Sequence, residues 1–150
     1  MKIIVFLTAC LLGITNSSAT AAVQEKKAPC RLEVDNAHIS SNITKKEKKF
    51  AVKVTFRSIC NLDQTKLVMG VQIWKIGVGR NYPVTSVITR TFPYVKANRN
   101  VLIQDVYVYC KNTKRTYFYG IAEAHAYING TQVIATKTQS DEIHRLSCGT

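Results

Sequence analysis

The sequence lacks the short motifs that mark most catalytic and cofactor sites. It contains no G-x-S-x-G nucleophile elbow, no phosphate-binding loop and no C-x-x-C pair. Its three histidines, His38, His125 and His144, do not show the H-x-x-x-H spacing of a metal site. We therefore expect no cofactor, no metal ion and no enzymatic activity.

Acidic residues are also scarce. Nine Asp and Glu residues stand against 21 Lys and Arg residues, which gives a formal net charge of +12. A protein this basic is attracted to anionic partners such as lipid head groups, wall polymers, glycans, nucleic acid or an acidic protein. The alternative is that the lysines only keep the protein in solution.

Beyond its N-terminus the sequence has no apolar run of the roughly 20 residues that a bilayer-spanning helix needs. The first 22 residues are typical of a secretory signal, with Lys2 before the apolar run Ile3–Leu12 and an A-x-A-like cleavage site at Ala19–Ala21. We expect the mature chain to begin at Ala22 or Val23. Export would place it outside the cell, or in the periplasm of a Gram-negative host.

A second interpretation of the N-terminus is a bacterial lipoprotein, because Leu7–Cys10 resembles a lipoprotein cleavage box. In the preferred interpretation, residues 1–22 are a removed signal, residues 23–29 are a flexible lead and residues 30–150 form one domain. Cys10 is then lost with the signal, and an even number of cysteines remains. These predict two structural disulfides among Cys30, Cys60, Cys110 and Cys148.

The rest of the chain follows the period-2 alternation of strands rather than a helical period. Pro83 and Pro93 place one of the strands at a sheet edge. Seven strands without a convincing helix predict an all-β fold, a two-sheet antiparallel β-sandwich. The predicted strands are residues 30–36, 48–60, 65–76, 82–92, 101–110, 115–128 and 131–138.

The last two predicted strands are joined by Asn129-Gly130, a strong signal for a tight hairpin. Small residues on one face of the first arm predict close packing against the opposite sheet. That face carries Phe118, Gly120, Ala122, Ala124, Ala126 and Ile128, and the other carries Tyr117, Tyr119, Glu123, His125 and Tyr127.

Cys60, Trp74 and Cys110 invite comparison with an immunoglobulin domain, in which a tryptophan packs on a disulfide between two sheets. Two predicted strands follow Cys110, whereas an immunoglobulin domain has one strand after its second cysteine. Val108 occupies the position two residues before that cysteine, where a tyrosine is expected. We therefore predict an immunoglobulin-like architecture outside the immunoglobulin family.

Strand directions favour one of the three disulfide connectivities that four cysteines allow. If the first two strands are antiparallel neighbours, Cys30 at the start of one lies beside Cys60 at the end of the other. Cys110 and Cys148 would then meet at the pole where the fifth and seventh strands end. We favour Cys30–Cys60 and Cys110–Cys148, while a Cys60–Cys110 bond remains the immunoglobulin-like alternative.

Two groups of residues are candidates for contact with a partner. The candidate anion-binding group combines the lysine run before the second strand with a basic turn: Lys45, Lys46, Lys48, Lys49, Lys111, Lys114 and Arg115. The second group could stack on sugar rings or bases and comprises Tyr117, Tyr119, His125 and Tyr127. Asn42 and Asn129 begin N-glycosylation sequons, which matter only in a eukaryotic host.

These features predict a secreted, non-catalytic binding domain directed at an anionic surface or ligand, such as a cell wall or envelope, a glycan or an acidic protein. Export argues against intracellular nucleic acid as the partner. One alternative is a secreted effector, toxin or inhibitor that binds one specific protein. A second is a small hydrolase or metal site built on Glu123 and His125.

Overall fold

The structure is a computed structural model that describes residues 29–150, apart from the side chains of Ala135 and Thr136. The predicted signal peptide, residues 1–22, and all but the last residue of the predicted lead, residues 23–29, lie outside the described residues.

The described residues form ten strands and one short helix. In chain order these are β1 Cys30–Val34, β2 His38–Ile39, α1 Ser41–Glu47, β3 Ala51–Cys60, β4 Gln64–Ile76, β5 Asn81–Pro83, β6 Ile88–Val95, β7 Val101–Tyr109, β8 Asn112–Ile128, β9 Thr131–Gln139 and β10 His144–Gly149.

The strands make two sheets in which every pairing is antiparallel. In the four-stranded sheet, β3 lies between β7 on one side and β1 and β2 on the other. In the six-stranded sheet, β4 and β8 are neighbours; β5 and β6 flank β4, and β9 and β10 flank β8. The predicted all-β, two-sheet sandwich is confirmed.

The core lies between the two sheets and follows the alternation of the sequence. Along β3 the inward residues are buried and their neighbours are only partly covered, as expected where one face of a sheet meets solvent. The same holds for β4. The fully buried residues that fill the core from both sheets include Val52, Val54, Phe56, Leu67, Met69, Val71, Ile73, Val106 and Phe118.

The hairpin of β8 and β9 has the predicted turn. Asn129 and Gly130 both have positive φ, at 51° and 77°, and Ile128 pairs with Thr131 across the turn. The small face of β8 is buried, and at Gly120 an added Cβ would lie 2.6 Å from a methyl carbon of Val54 in the other sheet. The predicted close packing of this face is therefore present.

The two predicted disulfides join Cys30 to Cys60 and Cys110 to Cys148, the pairing that the strand directions favour. Cys30 and Cys60 are opposite each other in the β1–β3 ladder. The second bond links the end of β7 in one sheet to β10 in the other. Trp74 lies on the outer face of β4 and stacks on Tyr119 at 6.4 Å between ring centroids, so it does not pack as an immunoglobulin tryptophan does.

The strand count differs from the predicted seven because short elements carry little periodic signal. Residues 82–92 divide into β5 and β6, and residues 38–39 and 144–149 add β2 and β10. Both β5 and β6 pair with β4 and with no other strand of the described chain, which is the edge position indicated by Pro83 and Pro93.

A helix also forms where none was predicted. Ser40 is its N-cap and accepts a hydrogen bond from the Ile43 amide at 3.4 Å, and the Thr44 hydroxyl donates to the Ser40 carbonyl at 2.8 Å. Lys48 ends the helix in a left-handed conformation, with φ of 56°. Lys45 and Lys46 therefore lie in the last turn of α1 and Lys48 is its C-cap, while Lys49 follows the helix.

Candidate anion-binding cleft

Several strands begin or end together at one end of the sandwich. Ala51, the first residue of β3, pairs with Tyr109 at the end of β7, and Ile76 at the end of β4 pairs with Asn81. Gly149 at the end of β10 pairs with Asn112 at the start of β8. We call this the basic end, because its helix, its turns and the adjoining strand ends carry Lys45, Lys46, Lys48, Lys49, Lys75, Arg80, Lys111 and Lys114.

An open cleft of about 480 Å³ lies at the basic end, between the two sheets. One wall comes from β4 and β5 in the six-stranded sheet, and the other from the end of β7 in the four-stranded sheet. The lining residues are Lys75, Tyr82, Pro83, Val84, Val108, Tyr109, Lys111 and Thr150. This lining combines three apolar residues with two tyrosines and two lysines, and it contains no acidic side chain.

Both lysines of the cleft make hydrogen bonds to the last residues of the chain, Lys75 through its ammonium and Lys111 through its backbone amide. The Lys75 ammonium donates to the Thr150 carbonyl oxygen at 2.8 Å and to its hydroxyl at 3.1 Å. The Lys111 amide donates to the Gly149 carbonyl at 2.7 Å, next to the Cys110–Cys148 disulfide. The disulfide and these hydrogen bonds hold the backbone of the two walls together and fix the position of the Lys75 ammonium.

Each tyrosine of the cleft lies under a cation from a neighbouring segment. The Lys49 ammonium is 5.4 Å from the centroid of the Tyr109 ring, and the Arg80 guanidinium is 4.7 Å from that of Tyr82. Tyr107 makes an edge-on contact with Tyr109 at 5.3 Å. These contacts bring the charges of Lys49 and Arg80 to the rim of the cleft and increase its positive potential.

Glu47, the last residue of α1, brings a negative charge to this end. Its carboxylate accepts a hydrogen bond from the Tyr109 hydroxyl. That hydrogen bond, together with one that involves Tyr107, raises the pKa of the Tyr109 phenol well above its ordinary value. Tyr109 therefore stays a neutral hydrogen-bond donor over the physiological pH range.

The predicted basic residues separate into two groups. Lys49 and Lys111 lie at the cleft, whereas Lys45, Lys46 and Lys48 are exposed on α1 and its cap. Lys114 and Arg115 are exposed near the start of β8 and do not line the cleft. The lysine run therefore contributes mainly long-range positive potential, with Lys49 as its member in contact with a cleft residue.

The predicted tyrosine surface is not one continuous contact site. Tyr119 is only 5% exposed, because Trp74 on the adjacent strand covers it. Tyr117 and Tyr127 are exposed but ten residues apart on β8, which is about 33 Å in an extended strand. Each lies beside its own cation, Arg145 at 5.6 Å and Lys66 at 5.9 Å.

Glu123 and His125 lie on the exposed outer face of the six-stranded sheet. With Gly70, Thr89 and Ile134 they line a shallow hollow of about 410 Å³. Within residues 29–150, no three His, Cys, Asp or Glu side chains are grouped as a metal ion would require. No other titratable side chain lines that hollow.

Sequence reasoning missed Lys75, Tyr82 and Arg80 as members of the site. Lys75 follows Trp74 at the end of a predicted strand, and Tyr82 begins the next one, so both looked like ordinary strand composition. The sequence signal near them was the break at Gly77–Gly79, which indicates a turn between Lys75 and Tyr82. That break does not show that the turn faces Tyr109 and Lys111.

No helix in residues 29–150 is long and apolar enough to cross a membrane. The chain matches no protein-family model and no curated protein.

Proposed function

We propose that this protein is an exported, non-catalytic binding domain and that its basic cleft binds an anionic glycan. The observation that carries the proposal is the cleft itself, where Lys75 and Lys111 lie with Tyr82 and Tyr109 and no acidic side chain is among the lining residues. Positive groups attract the charged substituents of a glycan, and tyrosine rings supply flat apolar surface for the sugar ring.

The size of the cleft supports a short segment of a polymer as the ligand. A volume of about 480 Å³ lies within the range of small-molecule sites, and the open shape allows a longer chain to continue beyond it. The exposed lysines of α1 would then contact further anionic groups of the same polymer. This arrangement favours a polyanion over a small isolated anion.

Export is supported by the two disulfides, which persist in oxidising compartments. The secretory signal predicted for residues 1–22 agrees with this location. N-terminal sequencing of protein collected from the medium or periplasm tests it, with Ala22 or Val23 expected as the first residue. Lipid attached at Cys10 would favour the lipoprotein alternative.

The binding test compares two triple variants of equal charge. In the first, Lys49, Lys75 and Lys111 at the cleft are changed to Gln. In the second, the exposed Lys66, Lys96 and Lys137, none of which lines the cleft, are changed to Gln. Affinity for heparin and for polygalacturonate is measured by calorimetry at low and high salt, with neutral dextran as the uncharged control.

We expect the cleft variant to lose far more affinity than the matched control variant, and salt to weaken binding because exposed charges are screened over roughly 8–10 Å. Equal losses in both variants would mean that only the net charge matters. If neither polymer binds, the proposal is wrong. Tight, salt-tolerant capture of one protein from host material would then support the specific-protein alternative.

A further inference from the structure

Glu47 occupies a basic setting in which a carboxylate is unexpected. Its sequence neighbours Lys45, Lys46, Lys48 and Lys49 are all basic, and the lining of the adjacent cleft carries no acidic residue. Its carboxylate is nevertheless bound to the hydroxyl of Tyr109, a lining residue, and the Lys49 ammonium lies over the same tyrosine ring.

The contact joins residues that are 62 positions apart in the chain. The neutral Tyr109 hydroxyl is a good donor to an anion, and hydrogen bonds to a charged acceptor are stronger than those between neutral groups. Glu47 therefore shows which chemical group the Tyr109 hydroxyl binds in the free protein, namely a carboxylate.

We propose that the Tyr109 hydroxyl is a carboxylate subsite, with the Lys49 ammonium over the same ring adding positive potential, that Glu47 fills this subsite in the free protein, and that a uronic acid carboxylate of a bound polysaccharide replaces it. This inference rests on the proposed glycan-binding function. It adds an internal competitor and names the acidic sugar that the cleft accepts.

Release of Glu47 needs little rearrangement of the core. Helix α1 has seven residues and none of them is buried, so the helix can shift without exposing apolar surface. Its N-terminal hydrogen bonds to Ser40 are separate from the Glu47 contact and remain in place. The displaced carboxylate moves into water, where its charge is solvated.

A uronate polymer fits the two kinds of group at this subsite. The sugar ring can stack on a tyrosine ring, and the carboxylate of the sugar accepts a hydrogen bond from the Tyr109 hydroxyl. Lys111 lies within the same cleft and is available to the carboxylate of a neighbouring sugar, and Lys75, which donates to two oxygens of Thr150, retains one of its three N–H donors. Polygalacturonate, whose only charged groups are carboxylates, is therefore the probe.

The experiment measures polygalacturonate affinity for the wild type, Glu47→Gln and Glu123→Gln at one low ionic strength. Glu123 is exposed on the outer face of the six-stranded sheet, so its variant removes the same charge without touching the cleft. Loss of a competing hydrogen-bonded carboxylate should strengthen binding about threefold to tenfold in Glu47→Gln. In Glu123→Gln we expect a change of less than about twofold.

A double variant tests whether the ligand takes the position of Glu47. In the Glu47→Gln background, Tyr109→Phe removes the hydroxyl and should reverse most of the gain in affinity. The contact itself is checked without ligand, since the pKa of Tyr109 should fall in Glu47→Gln when a neutral amide replaces the charged acceptor of its hydrogen bond. An unchanged Tyr109 titration would show that the contact is absent and would overturn the inference.

The outcomes separate this inference from the proposed function. The cleft binds anions without a carboxylate subsite if the cleft lysine variant loses heparin affinity while Glu47→Gln and Glu123→Gln change the affinity for polygalacturonate equally. The same conclusion follows if heparin binding is lost in the lysine variant and neither glutamate variant binds polygalacturonate. Binding of polygalacturonate by Glu47→Gln but not by the wild type would support the internal competitor. Absence of all binding would overturn both proposals.

Discussion

Gly120 and Ser140 are joined by a reciprocal pair of hydrogen bonds. The Ser140 amide donates to the Gly120 carbonyl at 3.1 Å, and the Gly120 amide donates to the Ser140 hydroxyl oxygen at 2.9 Å. The same hydroxyl donates to the carbonyl of Asp35 at 3.0 Å. Since Asp35 follows β1 and Gly120 lies in β8, this buried serine links a strand of one sheet to a strand of the other.

Ser140→Ala should lower the free energy of unfolding by about 1–3 kcal/mol, because it leaves the Gly120 amide and the Asp35 carbonyl without this partner. Ser147→Ala is the control, since Ser147 is exposed in β10. Urea denaturation followed by circular dichroism measures both. Equal stability of the two variants would show that water replaces the lost hydroxyl.

Gly120→Ala should also destabilise the fold, by about 1–3 kcal/mol, because the core is already filled. The added Cβ would lie 2.6 Å from Val54 Cγ1, 2.7 Å from Val34 Cγ1 and 3.0 Å from Phe56 Cε1. Gly70→Ala is the matched control within the same sheet, since there the nearest atoms belong to the movable Glu123 side chain, at 3.2 Å. A Gly120→Ala protein as stable as the wild type would mean that the sheets are further apart than described.

Gly130→Val should weaken the β8–β9 hairpin by about 1–3 kcal/mol, because a β-branched residue resists positive φ. Gly130 has φ of 77° and no atom would contact an added Cβ, so the cost is conformational rather than steric crowding by neighbours. Gly130→Asn is the control, because asparagine adopts positive φ more readily than a β-branched residue does. An unchanged melting temperature in Gly130→Val would place the turn elsewhere.

We expect no free thiol in the protein that lacks residues 1–22, because its four cysteines form two disulfides. Peptide mapping should recover Cys30 linked to Cys60 and Cys110 linked to Cys148. Replacing both Cys110 and Cys148 by Ser should lower the free energy of unfolding by about 2–5 kcal/mol, because it removes the covalent link between the two sheets at the basic end. A recovered Cys60–Cys110 peptide would contradict the described topology.

Asp63 should contribute a pH-dependent part of the stability. Its pKa is lowered chiefly by the Tyr94 hydroxyl, which donates to it at 2.5 Å, and also by the Ala97 amide at 2.7 Å. A lowered folded-state pKa means that the stabilisation is complete above the unfolded pKa of about 3.9 and is lost as the pH falls through the folded value. The stability difference between wild type and Asp63→Asn should therefore be constant near neutral pH and shrink in acid, as urea unfolding across pH would measure.

The sequence by itself determined the strands whose alternation is long. Phe118 to Ile128 could be assigned to one buried face because every second residue is apolar or glycine, and Asn129-Gly130 fixed the turn because few other pairs accept two positive φ values. Cys30 and Cys60 could be paired because the strands that contain them are antiparallel neighbours. Period-2 patterning and turn residues depend on neighbouring positions in the chain, so a single sequence is enough to identify them.

Short elements were decided by neighbours rather than by their own residues. Strand β10 has six residues and is defined by its ladder with β8, and β2 has two residues on β3. Helix α1 had a local signal, the Ser40 cap with lysines in the last turn, but its seven residues are too few for a helical period to appear. Tyr119 was placed on the correct face, yet Trp74 on the next strand buries it.

The cleft is the feature that only the tertiary structure decided. Lys75 and Lys111 are 36 positions apart, and Glu47 and Tyr109 are 62 apart, so no window of sequence contains either pair. They meet because the end of β4 and the end of β7 come from different sheets and face each other at the basic end. Composition fixed the amount of positive charge, while sheet packing fixed which charges share a cleft.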